Sequence, residues 1–429
     1  MGGKSALASR PQTPTPNTVQ GFMSSKRIVL VTYGSLGDVQ PMLALALGLK
    51  VRGHDVLLTG PPEKEASARE LGCPFHPLGS NVTAFLNGMK NAHSIHSVIA
   101  FMGFLRSELA SQFPVLREIL TGADLTVGAS LAFSLSSIAQ AMKIPYRYVA
   151  FTPQLLPSGQ HPFPACRRQD CPPWVNRLTW RLARHLDRFN LTALLNTERR
   201  KLRLNAIGDA WHHILGPRVV VATDRAIARV PQDVEPLVTQ TGYLHLSQPE
   251  VHLPGLERFL SEGSPPVYAG FGSMPRGDQE KLTPLIVSAT RSLGLRAVIA
   301  RFWEAAARAP EAKDIFFISK YPHAHLFPRV AGVIHHGGAG TTACAALSGV
   351  PQVIIPHVLD QFYWGHRVHT IGLGPKPVWR SRLSAETLES ALRECVNPMM
   401  GQTARSIAGQ IRPHESMGRA MDALLGACG

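Results

Sequence analysis

One stretch, residues 332–374, constrains the fold of this chain more than any other: GVIHHGGAGTTACAALSGVPQVIIPHVLDQFYWGHRVHTIGLG. A short apolar strand leads into a turn with three glycines, and a helix begins directly after the turn. A second buried strand follows the helix. This order of strand, glycine-rich turn, helix and strand is typical of α/β folds with a parallel sheet.

The glycine-rich turn predicts a binding site for an anion. Unpaired backbone N–H groups and the positive end of the helix dipole meet at a helix N-terminus, and phosphate is a common ligand there. Because Gly337, Gly338 and Gly340 have no side chains, an anion can approach the backbone closely. Side-chain donors can be added by His335, His336, Thr341 and Thr342.

Asp360 and Gln361 follow the second strand, at the edge of the sheet where α/β proteins bind their ligands. Their side chains can exchange hydrogen bonds with hydroxyl groups. A phosphate site and a polyol site in one crevice predict a nucleotide-activated sugar as the ligand. An ordinary tight turn is the alternative, but it leaves the two histidines and the Asp-Gln pair unexplained.

A second turn of this kind lies near the N-terminus. Residues 28–32 predict a buried strand, and the turn GSLGDVQP follows it. Pro41 suits the first turn of a helix over residues 42–50. Asp38 can cap that helix or accept a proton as a general base. Together with the downstream stretch the turn favours the base, and both roles are compatible.

Both turns resemble those of family 1 and family 28 glycosyltransferases, in the branch of sterol glucosyltransferases, glycopeptide-antibiotic transferases and rhamnolipid-type transferases. The similarity rests on HHGGAGTT, GVPQVIIP and DQ at their intervals and on GSLGDVQP, and it covers residues 26 to 425. The resemblance implies the GT-B fold, with two Rossmann-like, doubly wound α/β domains that face each other across a cleft. It also implies an inverting transfer of a sugar to an acceptor hydroxyl.

The resemblance assigns roles to individual residues. Asp38 is the catalytic base, and His335 rather than His336 contacts the donor phosphate. The further donor-binding candidates are Ser273, His323, Gly337, Gly338, Gly340, Thr341, Asp360 and Gln361. The candidates for the acceptor wall are Ser35, Phe85, Met89 and Phe101.

The distribution of turn residues divides the chain. Residues 1–25 are rich in Ser, Thr, Pro and Gln and predict a disordered tail, within which Met23 is an alternative start. We expect an acceptor-binding domain over residues 26–241, a linker over 242–266, a donor-binding domain over 267–400, and a helical segment over 401–429 that crosses back to the first domain.

Composition limits the partners and the compartment. A net charge of +15 favours anionic partners, but no nucleic-acid motif accompanies it, so nucleic acid is not expected. Six cysteines without a CxxC pair predict reduced thiols and a cytoplasmic address. No DxD motif occurs, so we expect no catalytic metal and no cofactor apart from the nucleotide sugar as co-substrate.

Residues 174–189 predict an amphipathic helix. Its arginine stripe and the adjacent apolar side chains are Arg177, Arg181, Arg184 and Arg188 with Trp174, Leu178, Leu182 and Phe189. Such a helix can lie on an anionic membrane, so peripheral membrane contact is one expectation. The favoured expectation is a solvated arginine face over an apolar face that is buried in the core.

The predicted reaction is transfer of a hexose from UDP-glucose to a hydroxyl of a lipophilic acceptor: a sterol, polyketide, carotenoid or lipid. A dTDP-sugar, rhamnosyl-type glycolipid transferase is one alternative. A nucleotide-sugar epimerase on the same fold is another, but it needs acid–base residues on both faces of the sugar, and the sequence offers one good candidate. A non-catalytic binding protein is the third, and the presence of both Asp38 and Asp360 argues against it.

Overall fold

The structure is a computed structural model that describes residues 25–82, 84–85, 95–272, 276–300, 312–319 and 321–426. For residues 95–102 and 276–280 it describes the backbone only. Two parallel β-sheets, one in each half of the chain, organise these residues.

The first sheet has seven strands in the order β3-β2-β1-β4-β5-β6-β7, and every neighbouring pair is parallel. The strands are β1 (Arg27–Tyr33), β2 (Asp55–Gly60), β3 (Phe75–Pro77), β4 (Leu125–Ser130), β5 (Tyr146–Ala150), β6 (Arg218–Val221) and β7 (Leu237–Gln240). The strand order reverses between β1 and β4, and that reversal is the point where such sheets bind ligands.

The second sheet has five strands in the order β10-β9-β8-β11-β12, again all parallel. The strands are β8 (Val267–Gly270), β9 (Ala297–Ala300), β10 (Ile315–Ile318), β11 (Gly332–His335) and β12 (Gln352–Ile354). Its order reverses between β8 and β11. The two sheets therefore have the same winding, and each has one such reversal point.

Helices connect the strands and cover the sheets. In the first half these are α1 (Leu36–Val51), α2 (Glu65–Glu70), α3 (Ile95–Ile119), α4 (Leu135–Met142), α5 (Pro173–Asp187), α6 (Leu191–Lys201) and α7 (Ala210–Leu215). In the second half they are α8 (Pro254–Ser261), α9 (Arg276–Ser292), α10 (His323–Leu326), α11 (Ala339–Leu347), α12 (Gln361–Thr370), α13 (Ala385–Cys395), α14 (Pro398–Ala408) and α15 (Pro413–Leu425).

The central strands are buried on both faces, as a sheet covered by helices requires. Ile28 and Leu30 of β1 point into one apolar cluster, while Val29 and Val31 point into another on the opposite face. The second sheet is likewise sandwiched between two clusters. Two doubly wound parallel sheets with helices on both faces confirm the predicted fold class.

The last helix packs against the first half of the chain. Ala420 and Leu424 of α15 are fully buried in the cluster that contains Ile28 and Leu30. The guanidinium of Arg419 donates to the carbonyl of Thr241, at 3.1 Å from Nη2. The chain end thus covers the first sheet, whereas the preceding α14 belongs to a cluster with α12.

Two details differ from the sequence expectation. The first helix begins at Leu36 instead of residue 42, so Pro41 lies within it. The segment 242–266 contains α8 and is not wholly irregular. The early start of α1 has a local cause: Ser35 and Asp38 form a capping box at its N-terminus.

The favoured expectation for the helix over 174–189 is wrong. The apolar side chains Trp174, Leu178, Leu182 and Phe189 are exposed, and α5 buries Asn176 and Trp180 instead. The reason is the angular position of these residues. Trp174, Leu178 and Leu182 repeat every four residues and form one stripe, and the opposite side of the helix packs on the body of the domain.

Candidate functional site

Asp38 lies at the first reversal point, in the opening turn of α1 directly after β1. Its Oδ2 accepts hydrogen bonds from the backbone N–H and the hydroxyl of Ser35, at 2.7 and 2.9 Å. Its Oδ1 accepts from the hydroxyl of Ser130 at 2.7 Å. Ser130 ends β4, so the two strands at the reversal point hold this carboxyl between them.

Burial raises the pKa of the Asp38 carboxyl, and the hydrogen bonds from Ser130 and Ser35 partly oppose that rise. A carboxylate with a raised pKa is a stronger base than a solvated one, and the hydrogen bonds fix its direction. The capping role is also present, but for a helix that begins at Leu36. Ser35, predicted to line the acceptor wall, directs its hydroxyl to Asp38.

His335, which was predicted to contact the donor phosphate, is oriented into the interior of the fold. It is the last residue of β11 and its side chain is fully buried. Its Nδ1 accepts from the backbone N–H of Gly337 at 3.1 Å, and its Nε2 pairs with Oε1 of Gln352 at 2.9 Å. Both ring nitrogens are therefore used inside the fold, and no donor is left for a phosphate.

His336, the next residue, is half-buried in the turn that follows β11. Burial lowers the pKa of its imidazole to about 4, so the ring is neutral at pH 7. Within the described part of the chain its Nδ1 has no hydrogen-bond partner. A Cβ built on Gly338 would lie 2.7 Å from Nε2 of His336, and one built on Gly272 would lie 3.3 Å from its Cε1. The ring therefore stands between the turns that follow β8 and β11, at the second reversal point.

The predicted glycines occupy distinct positions in the turn. Gly337 has φ 92°, which favours glycine, and its N–H is bonded to His335. Gly338 is the N-cap of α11. Gly340 and Thr341 lie in the first turn of that helix, where N–H groups have no partner within the helix. The donors for an anion are thus those of residues 339–341.

Asp360 and Gln361 lie at the start of α12. Oε1 of Gln361 accepts from the backbone N–H groups of His357 and Val358, at 2.8 and 3.1 Å, which leaves its NH₂ group to donate. Oδ2 of Asp360 accepts from the indole Nε1 of Trp364 at 3.1 Å. Burial first, and the negative charge of Asp38 second, raise the pKa of Asp360 to about 7.

The two reversal points border one space. The charge of Asp38 acts on Asp360 and also on Tyr243 of the connecting segment. Helices α1 and α11 contact each other, and a Cβ on Gly340 would lie 2.7 Å from the Tyr243 hydroxyl. A small cavity is lined from both halves, by Phe151, Thr223, Asp224, Ile227 and Tyr243 with Ala339, Ala343 and Trp364.

The remaining candidates have mixed outcomes. Nε2 of His323 forms a hydrogen bond of 3.1 Å with the Tyr268 hydroxyl, beside the second sheet. Its ring stacks on Phe327 at a centroid distance of 4.4 Å. Phe85 stacks on Phe104 at a centroid distance of 4.0 Å, and Phe104 lies 6.4 Å from Tyr33 at the end of β1. The residues outside the described part are Ser273, Met89 and the side chain of Phe101.

Sequence reasoning missed three residues of this site. Ser130 carries a signal that could have been used, since it ends the strand next to β1 at the reversal point. Its φ of 55° is unusual for a residue with a side chain. Phe104 and Tyr243 have no comparable signal, because the first lies within a long helix and the second in a segment that reads as a linker.

The described residues contain no group of three or more His, Cys, Asp or Glu side chains that could hold a metal ion. They also contain no helix that is both long and apolar enough to cross a membrane.

Two family models match this chain. Residues 28–155 match the glycosyltransferase family 28 N-terminal domain, and residues 299–416 match the erythromycin biosynthesis protein CIII-like C-terminal domain. The first match contains Asp38, and the second contains the turn after β11 together with Asp360 and Gln361.

Glycosyltransferase GtfE of Amycolatopsis orientalis is 31% identical over 415 residues, which cover 94% of this chain and 98% of the relative. Sterol 3-beta-glucosyltransferase UGT80B1 of Arabidopsis thaliana is 29% identical over 425 residues, 92% of this chain and 67% of the relative. The structure of glycosyltransferase VinC in complex with dTDP has a TM-score of 0.67 at 18% identity, over 93% of this chain and 99% of that one. The chain therefore belongs to the GT-B glycosyltransferase family that includes GtfE.

Proposed function

We propose that this glycosyltransferase moves a hexose, with glucose as the first choice, from a nucleoside diphosphate sugar to a hydroxyl of a lipophilic acceptor. The observation that carries the proposal is the shared space between Asp38 and the first turn of α11, which come from opposite sheets. A base on one side and an anion site on the other are the two elements that a direct displacement requires. The names of GtfE and UGT80B1 support the choice of reaction class.

On the donor side, the diphosphate binds against the N–H groups of residues 339–341 and the imidazole of His336. Negative charge develops on the leaving phosphate as the glycosidic bond breaks, and these donors are already oriented toward it. The dipole of α11 adds a fixed positive end at the same place. Asp360 and Gln361 hold the sugar hydroxyls.

On the acceptor side, Asp38 takes the proton of the acceptor hydroxyl as its oxygen bonds to the anomeric carbon. The nucleoside diphosphate leaves from the opposite face, so one displacement inverts the configuration at that carbon. Phe85 and Phe104 provide an apolar wall, which suits a sterol, polyketide, carotenoid or lipid better than a sugar.

The proposed reaction has the nucleotide sugar as co-substrate and uses neither a metal ion nor another cofactor. The reason is electrostatic: a helix dipole, backbone donors and a neutral imidazole can together stabilise the leaving diphosphate. Transfer in a chelating buffer at the same rate as in magnesium would support this part of the proposal, and loss of transfer on chelation would refute it.

The nucleotide is the less determined part of the donor. UDP-glucose is the first choice, in line with the glucosyl transfer in the name of UGT80B1. A dTDP-sugar, such as a rhamnosyl donor, is the second candidate, because the VinC structure holds dTDP on the same fold. Competition between UDP-glucose and dTDP-glucose for one acceptor would rank the two.

The function is tested by incubation of the purified chain with both donors and a panel of lipophilic alcohols, with mass analysis of the products. A glycoside of inverted configuration supports the proposal. An epimerised nucleotide sugar would support the epimerase instead, and donor binding without turnover would support a non-catalytic protein. Asp38→Asn is the matched control, since it keeps the shape of the site but removes the base.

A further inference from the structure

The exposed face of α5 is an apolar surface that no described element covers. Of the eleven large apolar side chains that are exposed in the described residues, five lie between residues 174 and 189, and these are 52–75% exposed. They are Trp174, Leu178, Leu182, Leu186 and Phe189. Four of them repeat at intervals of four residues, so they form one continuous row, here called the α5 stripe.

A row of arginines runs beside the α5 stripe. Arg177 pairs with Asp233, and Arg184 pairs with Asp209. Arg181 and Arg188 have no acidic partner within the described part of the chain, and both are exposed. The exposed half of the helix thus consists of an apolar row and a cationic row side by side.

The opposite face of α5 fixes the helix to the domain. The side-chain NH₂ of Asn176 donates to the carbonyls of Gly159 and Cys171, at 2.9 and 3.2 Å. The indole Nε1 of Trp180 donates to the carbonyl of His161 at 3.2 Å. Because these contacts hold the helix, its apolar row faces away from the domain and is available to another surface.

We propose that the α5 stripe and its arginines bind the surface of an anionic lipid bilayer. The helix would lie in the plane of the interface, with the leucines, Trp174 and Phe189 below the headgroups and the arginines among the lipid phosphates. The net charge of +15 supports this occupant. It favours an anionic membrane over a second copy of the same cationic chain.

The location of α5 connects this surface to the proposed function. The ring of His161 lies 6.3 Å from Trp180 of α5 and 5.9 Å from Tyr363 of α12. Tyr363 follows Asp360 by three residues and Gln361 by two. The bound bilayer would therefore lie close to the cleft, and a lipophilic acceptor could enter from it. This last step rests on the proposed function, whereas the binding of the membrane does not.

Flotation of the full chain with vesicles tests the proposal. We expect binding to phosphatidylcholine vesicles that contain phosphatidylglycerol, and at least about tenfold weaker binding to pure phosphatidylcholine. The double variant Leu178→Asp and Leu182→Asp should lose at least about tenfold in binding. Arg181→Glu with Arg188→Glu should lose the preference for the anionic lipid. Met399→Asp, at another exposed apolar residue, is the control and should bind like wild type.

Three results would overturn the proposal: no binding by the wild type, equal binding by the Leu178 and Leu182 variant, or a dimer in sedimentation velocity that depends on these leucines. The third result would assign the face to a second copy of the chain. Sugar transfer to an acceptor dispersed in detergent, measured without vesicles, tests the proposed function independently of membrane binding. The aspartate variant should keep that transfer, and a wild type that binds vesicles but transfers no sugar would refute only the proposed function.

Discussion

At the scale of single residues, the environment of Asp38 determines what the acceptor side can do. Three hydrogen bonds from Ser35 and Ser130 orient the carboxyl. Burial raises its pKa, while the donor groups lower it. The group therefore remains a directed acceptor for a proton, and the same contacts explain why it also caps α1. Its two roles do not compete, because each oxygen has more than one lone pair.

Asp38→Asn should abolish transfer but not donor binding. We expect kcat to fall by roughly 100- to 10,000-fold, the usual contribution of a general base, and the Kd of the nucleotide sugar to change little. Single-turnover kinetics and calorimetry measure the two quantities. An active Asn variant would remove Asp38 from the mechanism.

Ser130→Ala should move the acid side of the pH profile of kcat/KM to higher pH. The Ser130 hydroxyl stabilises the ionised carboxylate and so lowers the pKa of Asp38. Without it the pKa rises, and the base is protonated up to a higher pH. Thr32→Val is the matched control, because the Thr32 hydroxyl donates to the Asp38 carbonyl and not to its carboxylate. If both variants, or neither, shift the profile, the assignment of Ser130 fails.

At the scale of elements, the join between β11 and α11 separates two adjacent histidines. His335 is still part of the strand and pairs with Gly270 and Ile354 on either side, so its side chain is buried. His336 is the first residue beyond the strand and faces the turn. If the strand ended one residue earlier or later, the buried position and the position in the turn would fall on different histidines. Sequence patterns do not define the end of a strand to one residue.

The two histidines should respond differently to alanine. His336→Ala should weaken the binding of UDP and UDP-glucose by about 10- to 100-fold, the cost of a hydrogen bond to a charged group. His335→Ala should instead lower the free energy of unfolding by about 1–3 kcal/mol, because it leaves the buried Oε1 of Gln352 without its hydrogen-bond partner.

Calorimetry measures the loss of nucleotide binding, and urea denaturation measures the loss of folding free energy. Each variant is the control of the other, since both lose one imidazole from the same turn. The opposite pattern, with loss of stability in the His336 variant and loss of binding alone in the His335 variant, would support the prediction that His335 contacts the donor phosphate.

The sequence predicts the elements of this site better than their surroundings. The glycine turn, Asp38 and the Asp-Gln pair could be placed because their spacing from apolar strands is a local property. Ser130 and Tyr243 could not, since they meet Asp38 and Gly340 only after the sheets are wound. The orientation of α5 also escaped prediction, because an amphipathic pattern does not say which face the domain covers.

At the scale of the whole molecule, the last helix, α15, packs on the first sheet and stabilises the first half of the structure. Leu424 is fully buried in one apolar cluster with Ile28 and Leu58 of the first sheet, which precede it by more than 360 residues. Arg52 and Asp422 form an ion pair across a separation of 370 residues. The exposed ion pair contributes little. The apolar contact is the main stabilising contribution of α15.

Leu424→Ala should lower the free energy of unfolding by about 2–5 kcal/mol, as for other buried leucines. Urea denaturation followed by circular dichroism measures the change. Met399→Ala removes a side chain that is 68% exposed and should change stability by less than about 0.5 kcal/mol. Similar small effects of the two substitutions would show that α15 does not stabilise the first half of the molecule.

The central claim, that both halves of the site face one cleft, can be tested through Trp364. Its indole N–H donates to Asp360, so its NMR resonance, assigned with Trp364→Phe, reports the ionisation of that carboxyl. We predict a titration midpoint of about 7 in the wild type. Asp38→Asn should lower the midpoint, because it removes the second cause of the raised pKa. Asp314→Asn, at a half-exposed carboxylate paired with Arg291, should not. An unchanged midpoint in Asp38→Asn would contradict the shared cleft.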